Sequence, residues 1–154
     1  MAVKILIPYN FSENDALSIT FVGHRYKNRR DVSITLFHAH MPIPTIDPHE
    51  NPIMKKVIQN TAYLRQQQEE QHQALIDAKN KLQDFGFDNA HIHSLFTPVK
   101  KDVASDIISL WKRENFDVVV LNRNPGNIVN FFTRSISKRI VRHIEGGIGV
   151  HIVN

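Results

Sequence analysis

The sequence predicts an α/β protein with an open five-stranded parallel sheet and helices on both faces. Short, β-branched apolar runs alternate with helix-forming segments in the order βαβαβαβαβ. Such alternation requires mostly parallel strands joined by right-handed helical crossovers. The apolar runs also lack a clean polar alternation, which is typical of strands buried on both faces.

The first half of the chain opens with a strand, a helix and a second strand. Val3–Pro8 is the first apolar run. Ser12–Asp15 has the spacing of a capping box, so a helix is expected to start there and to end near Gly23, where a basic stretch follows. Val32–Ala39 is the second strand, and four prolines between Met41 and Pro52 exclude regular structure in that segment.

Ile53–Phe85 is free of glycine and proline and is rich in Gln, Glu and Lys, which favour a helix. Its middle, Arg65–Gln73, has no apolar residue. The segment is therefore either one long helix with an exposed middle or two helices. Gly86 ends it, and Ala90–Phe96 is the third strand.

The last third of the chain repeats the pattern. A helix begins near Asp102, Phe116–Leu121 is the clearest buried strand, and Asn122–Asn127 has the composition of a turn. A final helix is predicted by apolar residues at every fourth position, and Ile148–Val153 is the final strand. The positions of that stripe are Phe132, Ile136, Ile140 and Ile144.

Composition narrows the class of protein. The 154 residues are the usual size of one domain, which we expect to span 1–154. The absence of cysteine excludes disulfides, thiolate metal sites and thiol catalysis. The net charge of +4 is mild, and no apolar run approaches the roughly 20 residues of a membrane span. The first residues read directly into a strand, so we expect a cytoplasmic protein without membrane association.

Five segments, in order and at compatible spacing, resemble the universal stress protein family across essentially the whole chain. The first resembles the family's turn V-P-x-D-x-S-E, the third its strand A-D-L-I-V-V-G, and the fourth its motif G-S-V-S-x-x-V-x-x-H. The second and fifth resemble the ends of the second and closing strands. The segments are Ile5–Glu13, Leu36–His38, Phe116–Leu121, Arg134–His143 and Gly149–Val153.

This resemblance implies a flavodoxin-like or adenine-nucleotide-hydrolase-like fold and a homodimer. One branch of the family binds ATP through three glycines after the fourth strand and a first-strand acid. Placing Ser135 on the signature's serine puts Leu121, Asn124 and Arg134 at the glycine positions, and Asn10 replaces the acid. The chain therefore resembles the branch that does not bind ATP, and we expect a degenerate nucleotide site.

We accordingly expect a stress-response binding or regulatory protein with no enzymatic activity, no cofactor and an unidentified protein partner. The alternative is a nucleotide-binding switch or slow ATPase with an altered phosphate site. No serine has a histidine–acid pair placed to activate it, which disfavours nucleophilic catalysis.

Open parallel sheets bind ligands where the strand order reverses, at the carboxyl ends of the strands. We therefore place the candidate ligand site in the crevice beyond the first and fourth strands. Its residues would be Pro8, Tyr9, Asn10, Ala39, Arg123, Gly126 and Ser135.

Two pairs of histidines have the spacing of metal ligands. The pairs His38/His40 and His91/His93 could ligate a metal, but they are expected at different ends of their strands, so we predict no metal site.

A row of basic residues on the last helix has a structural and a functional interpretation. In the first interpretation Arg134, Lys138 and Arg142 form a solvated helix face, as charged rows usually do. In the second interpretation Arg123 and Arg134 hold an anion. Nucleic acid is not favoured, since no recognition motif accompanies the row.

The last strand predicts the mode of assembly. In the resembling family it lies at the sheet edge and pairs with its twin. Ile148–Val153 is apolar and lacks lysine or proline to blunt a bare edge. We therefore predict a homodimer through the C-terminal strand.

Overall fold

The computed structural model describes residues 2–11, 14–40, 54–122, 134–144 and 149–153, and for 54–60 and 134–137 it describes the backbone alone. Strands and helices alternate along these ranges as the sequence predicts. The elements are β1 (Val3–Pro8), α1 (Asp15–Tyr26), β2 (Val32–His40), α2 (Met54–Asp84), β3 (Ile92–Pro98), α3 (Val103–Glu114), β4 (Val118–Asn122), α4 (Arg134–Ile144) and β5 (Gly149–Val153).

The strands form a five-stranded sheet in the order β3-β2-β1-β4-β5, and each pairing is parallel. This confirms the predicted fold class. The chain moves outward in one direction from β1 through β2 to β3, and then returns to the other side of β1 with β4. The strand order therefore reverses between β1 and β4, and β3 and β5 lie at the two edges.

Helices cover both faces of the sheet, so alternate residues of the central strands enter two separate cores. Ile5 and Ile7 of β1 lie in the core beneath α1 and α2, whereas Leu6 lies in the core beneath α3 and α4. These three side chains are fully buried. Burial on both faces is the reason for the continuous apolar runs in the sequence.

Helix α2 is one helix of 31 residues, about 46 Å long at 1.5 Å per residue. Its C-terminal half packs on the sheet through Leu75, Ala78 and Leu82. Gln68 reaches His40, the last residue of β2, so the turns that precede Gln68 extend beyond the end of that strand. The polar middle is therefore exposed rather than a break between two helices. Neither α2 nor another described helix combines the length and hydropathy needed to cross a membrane.

Several predicted boundaries shift for local reasons. Helix α1 continues past Gly23 to Tyr26, because Gly23 is a packing contact: a β-carbon there would lie 2.6 Å from the ring of Phe85. Strand β3 begins at Ile92, since Asp88 accepts a hydrogen bond from the amide of Ala90 and caps a 3₁₀ turn. Ser12, the predicted start of α1, lies outside the described residues.

Candidate functional site

The predicted ligand residues divide between the two faces of the sheet. Pro8 ends β1, and Tyr9 follows it, with its amide donating to the carbonyl of Phe37 at 2.7 Å. Tyr9 packs against the core beneath α1 and α2, whereas the side chain of Ala39 is buried in the opposite core. The structure therefore brings Tyr9 and Asn10 to the carboxyl edge of β1 and places the side chain of Ala39 on the other side of the sheet.

For three other predicted ligand residues, the structure describes either nothing or the backbone alone. Arg123 and Gly126 lie outside the described residues. Ser135 is the second residue of α4, and its side chain lies outside the description.

A buried polar network occupies the point at which the strand order reverses. Asn122, the last residue of β4, is fully buried rather than part of a turn. Its amide nitrogen lies 2.9 Å from a carboxylate oxygen of Asp15 and 3.2 Å from the hydroxyl of Ser18. The amide of Asn10 points to Asn122 at 3.4 Å, and its backbone N–H donates to Asp15 at 3.3 Å. The network joins the end of β1, the start of α1 and the end of β4.

The backbone between β1 and α1 positions this network. Phe11 has a left-handed conformation with φ 61°, which is uncommon for a bulky side chain. Asp15 lies in the first turn of α1, where the helix dipole favours a carboxylate, and it is 1% exposed. The first residue of α1 therefore places a buried carboxylate inside the network.

The hydroxyl of Tyr9, just after β1, has a raised pKa. Burial raises the pKa of its hydroxyl to about 12, and the carboxylates of Asp15 and Asp77 add to this rise. Tyr9 therefore stays protonated at neutral pH. Two carboxylates, those of Asp15 and Asp77, therefore lie near enough to the Tyr9 hydroxyl to disfavour its ionisation.

Aromatic rings and histidines form a cluster next to Tyr9. Phe11 lies 5.2 Å from Tyr9 and 4.5 Å from His38, between ring centroids. Phe96 of β3 lies 5.6 Å from His38, 4.5 Å from His40 and 5.5 Å from His72. We call Phe96 and these three histidines the histidine cluster. None of its members was predicted to be in the site.

His38 is held neutral within this cluster. Its Nδ1 lies 2.8 Å from the carbonyl oxygen of Tyr9, and because a carbonyl only accepts, Nδ1 carries the proton. Burial lowers the pKa of His38 to about 4, against the raising effect of this hydrogen bond. The side chain is 4% exposed. His38 therefore links β1 to β2 as a neutral donor.

The two histidine pairs of the sequence do not converge. In the ladder between β2 and β3, His93 lies opposite Thr35 and His38 lies opposite Phe96, so three rungs, about 10 Å, separate them. His91 lies in the 3₁₀ turn before β3. In the described part of the chain, no group of three histidine, aspartate or glutamate residues is arranged to hold a metal ion.

The basic row on α4 is exposed where it is described. Lys138 and Arg142 face solvent, while Ile140 and Ile144 are fully buried. Arg139, between them, lies 2.9 Å from the carboxylate of Asp102 and so links α4 to the start of α3. The described part of the row is thus the solvated helix face of the first interpretation.

Comparison with solved structures shows which fold this is. A universal stress protein family member from Burkholderia pseudomallei matches with a TM-score of 0.64 at 16% identity, covering 97% of this chain and 94% of that one. A universal stress protein from Lactobacillus plantarum matches with a TM-score of 0.65 at 13% identity, over 99% and 97%. An Arabidopsis thaliana family protein with AMP bound matches with a TM-score of 0.60 at 16% identity, over 99% and 92%.

Other matching structures are universal stress proteins in complex with cAMP or dAMP. No protein-family model matches the sequence, and no curated protein matches it. The structural matches span nearly the whole chain, so the protein has the universal stress protein fold that its five segments resemble.

Proposed function

We propose that this chain is a universal stress-type binding and regulatory protein that does not bind ATP and acts without catalysis. The fold supports the class, since a crevice at the reversal of strand order is where such sheets bind ligands. The observation that carries the proposal is the position of Asn10. It stands where the resembling ATP-binding branch has an acid, and only 6% of it is exposed because its amide turns inward to Asn122.

The surrounding charges support the same conclusion. A bound ATP would bring three or four negative charges to the crevice, where Asp15 and Asp77 already act on Tyr9. Leu121, at the first glycine position of the signature, is fully buried in the core beneath α3 and α4. A glycine there would let the backbone approach a phosphate closely, whereas leucine serves packing.

A second candidate function is a switch that binds a nucleoside monophosphate. The matching structures that hold AMP, cAMP or dAMP favour it, because such ligands need no cradle for a triphosphate. Arg123 and Arg134 would then supply side-chain charge in place of the glycines.

Isothermal calorimetry separates these functions. We expect no heat of binding with Mg-ATP at micromolar concentrations, and mass spectrometry of molecules released from the purified protein identifies any resident ligand. A micromolar dissociation constant for Mg-ATP contradicts the first proposal. Binding of AMP without ATP supports the second, and an Arg134→Gly variant that loses AMP binding then assigns the anion contact to that side chain.

A further inference from the structure

Among residues 61–74 of α2, no apolar side chain is buried. From residue 62 to residue 67 each side chain is exposed, and Tyr63 is 64% exposed. Leu75 is the first buried apolar residue after this stretch. Since helices in proteins are stabilised chiefly by packing of an apolar face, polar contacts with the rest of the molecule matter more for residues 61–74 than for the residues that follow.

One such contact joins α2 to the end of β2. The side-chain nitrogen of Gln68 lies 2.9 Å from Nδ1 of His40. An amide nitrogen only donates hydrogen bonds, so Nδ1 of His40 must carry a lone pair, and the imidazole is neutral. The ring of His40 lies 4.5 Å from that of Phe96, which fixes its orientation.

We propose that His40 and Gln68 form a pH-sensitive latch, which holds residues 61–74 of α2 against the sheet when His40 is neutral and releases them when His40 is protonated. Protonation places an N–H on Nδ1 opposite the N–H of Gln68. Two donors then face each other, and the hydrogen bond is lost. Imidazole is the side chain most often used as a pH switch in proteins, and loss of this one hydrogen bond is the change that the latch requires.

The charged and titratable groups described near His40 lie on β2, α2 and the end of β1. On β2, His38 stays neutral to about pH 4 and therefore adds no charge near pH 6. On α2, the groove beside Phe96 is lined by His72, by the guanidinium of Arg65 and by the carboxylate of Glu69.

On β1, Tyr9 remains protonated, and β3 contributes Phe96, which has no charge. Release of the helix uncovers the histidine cluster, whose His38 bonds to Tyr9. The latch therefore adjoins the candidate crevice.

Hydrogen–deuterium exchange tests the latch. After correction for intrinsic rates, we expect the amides of residues 62–74 to open about tenfold more often at pH 5.5 than at pH 7.5, the size of one lost hydrogen bond. The amides of 75–84 should change less. His40→Gln keeps an acceptor for Gln68 but cannot titrate, so it should abolish the response. His93→Gln, at an exposed position on β3, is the matched control and should retain it.

A second variant tests the latch independently, in case His40→Gln impairs folding. Gln68→Leu removes the donor from an exposed stretch of helix and should give, at both pH values, the opening that the wild type shows only at pH 5.5. The proposal is overturned if the wild type shows no pH-dependent opening, if His40→Gln responds as the wild type does, or if His72→Gln alone removes the response.

Discussion

Asn10 is the residue on which the proposed absence of ATP binding depends most. The sequence alone identifies the changed side chain, because the turn after β1 can be placed from its strand and its following helix. It does not identify the partners of Asn10, since Asn122 is 112 residues away and its neighbours have the composition of a turn. The spacing of Ser12 and Asp15 likewise predicts that Asp15 caps a helix. In the structure Asp15 is buried and accepts a hydrogen bond from Asn122. Local patterns predict the backbone here, and only the tertiary fold assigns the hydrogen bonds.

His38 is predicted to make stability depend on pH. Its pKa of about 4 in the folded protein lies below the ordinary value of 6.5. Between these values the unfolded chain binds a proton that the folded protein does not, so the free energy of unfolding falls as pH is lowered through this window. The full loss is roughly 3 kcal/mol at most.

Urea unfolding at pH 7 and pH 5 measures this dependence. His38→Asn can still donate to Tyr9 but cannot titrate, so we expect it to flatten the difference between the two pH values. His93→Asn, at an exposed position, serves as the control and should leave the difference intact. An unchanged pH dependence in His38→Asn would mean that another group is responsible.

At the scale of elements, the sequence predicts the type and order of each strand and helix, because buried parallel strands and amphipathic helices leave distinct periodicities. The residue at which a helix begins or ends is harder to predict when a contact with a distant part of the chain determines it. Gly23 has the character of a helix terminator, yet the ring of Phe85 requires a glycine inside α1. From the sequence alone, the polar middle of α2 is compatible with either one helix or two. The structure shows that this part of α2 lies beyond the end of β2, where it has no sheet to pack on and so does not need apolar residues.

The start of α3 was predicted near Asp102, and the structure confirms it. An oxygen of the Asp102 carboxylate accepts the amide of Ser105 at 2.8 Å, and this hydrogen bond is the main cause of the lowered pKa of Asp102. Asp102→Ala is expected to lower the free energy of unfolding by about 1 kcal/mol, the usual cost of a lost N-cap. Asp102→Asn keeps the oxygen that accepts the amide of Ser105 but loses the exposed ion pair with Arg139 and the oxygen that accepts the Ser105 hydroxyl, so it should cost less than Asp102→Ala. Chemical denaturation measures both, and equal losses would indicate that these two contacts, not the cap, stabilise this end of the helix.

At the scale of the whole molecule, alternation of strands and helices predicts a parallel sheet covered on both faces by right-handed crossovers. The order of the strands is set by tertiary packing, and the structure shows that it reverses between β1 and β4. This reversal point is where open parallel sheets bind ligands. What fills it is a matter of individual residues, and several of those predicted, among them Arg123 and Gly126, lie outside the described residues. The strand order therefore supports the expected location of a ligand site, whereas its chemistry depends on residues that stay predictions.

The edge position of β5 makes assembly testable. β5 pairs with β4 and is the last strand of the described sheet, as predicted, so its outer backbone groups are on the side away from β4, where a second copy could pair with them. Gly149 donates its N–H to Asp117, on the β4 side, and successive amides alternate, so the N–H of Val150 points away from β4. Val150→Pro removes this outward donor while sparing the ladder with β4, and we expect it to convert a dimer into a monomer. Val150→Ala keeps the N–H and should remain a dimer in light scattering behind size exclusion. A monomeric wild type, or a proline variant as dimeric as the wild type, would place any self-association elsewhere.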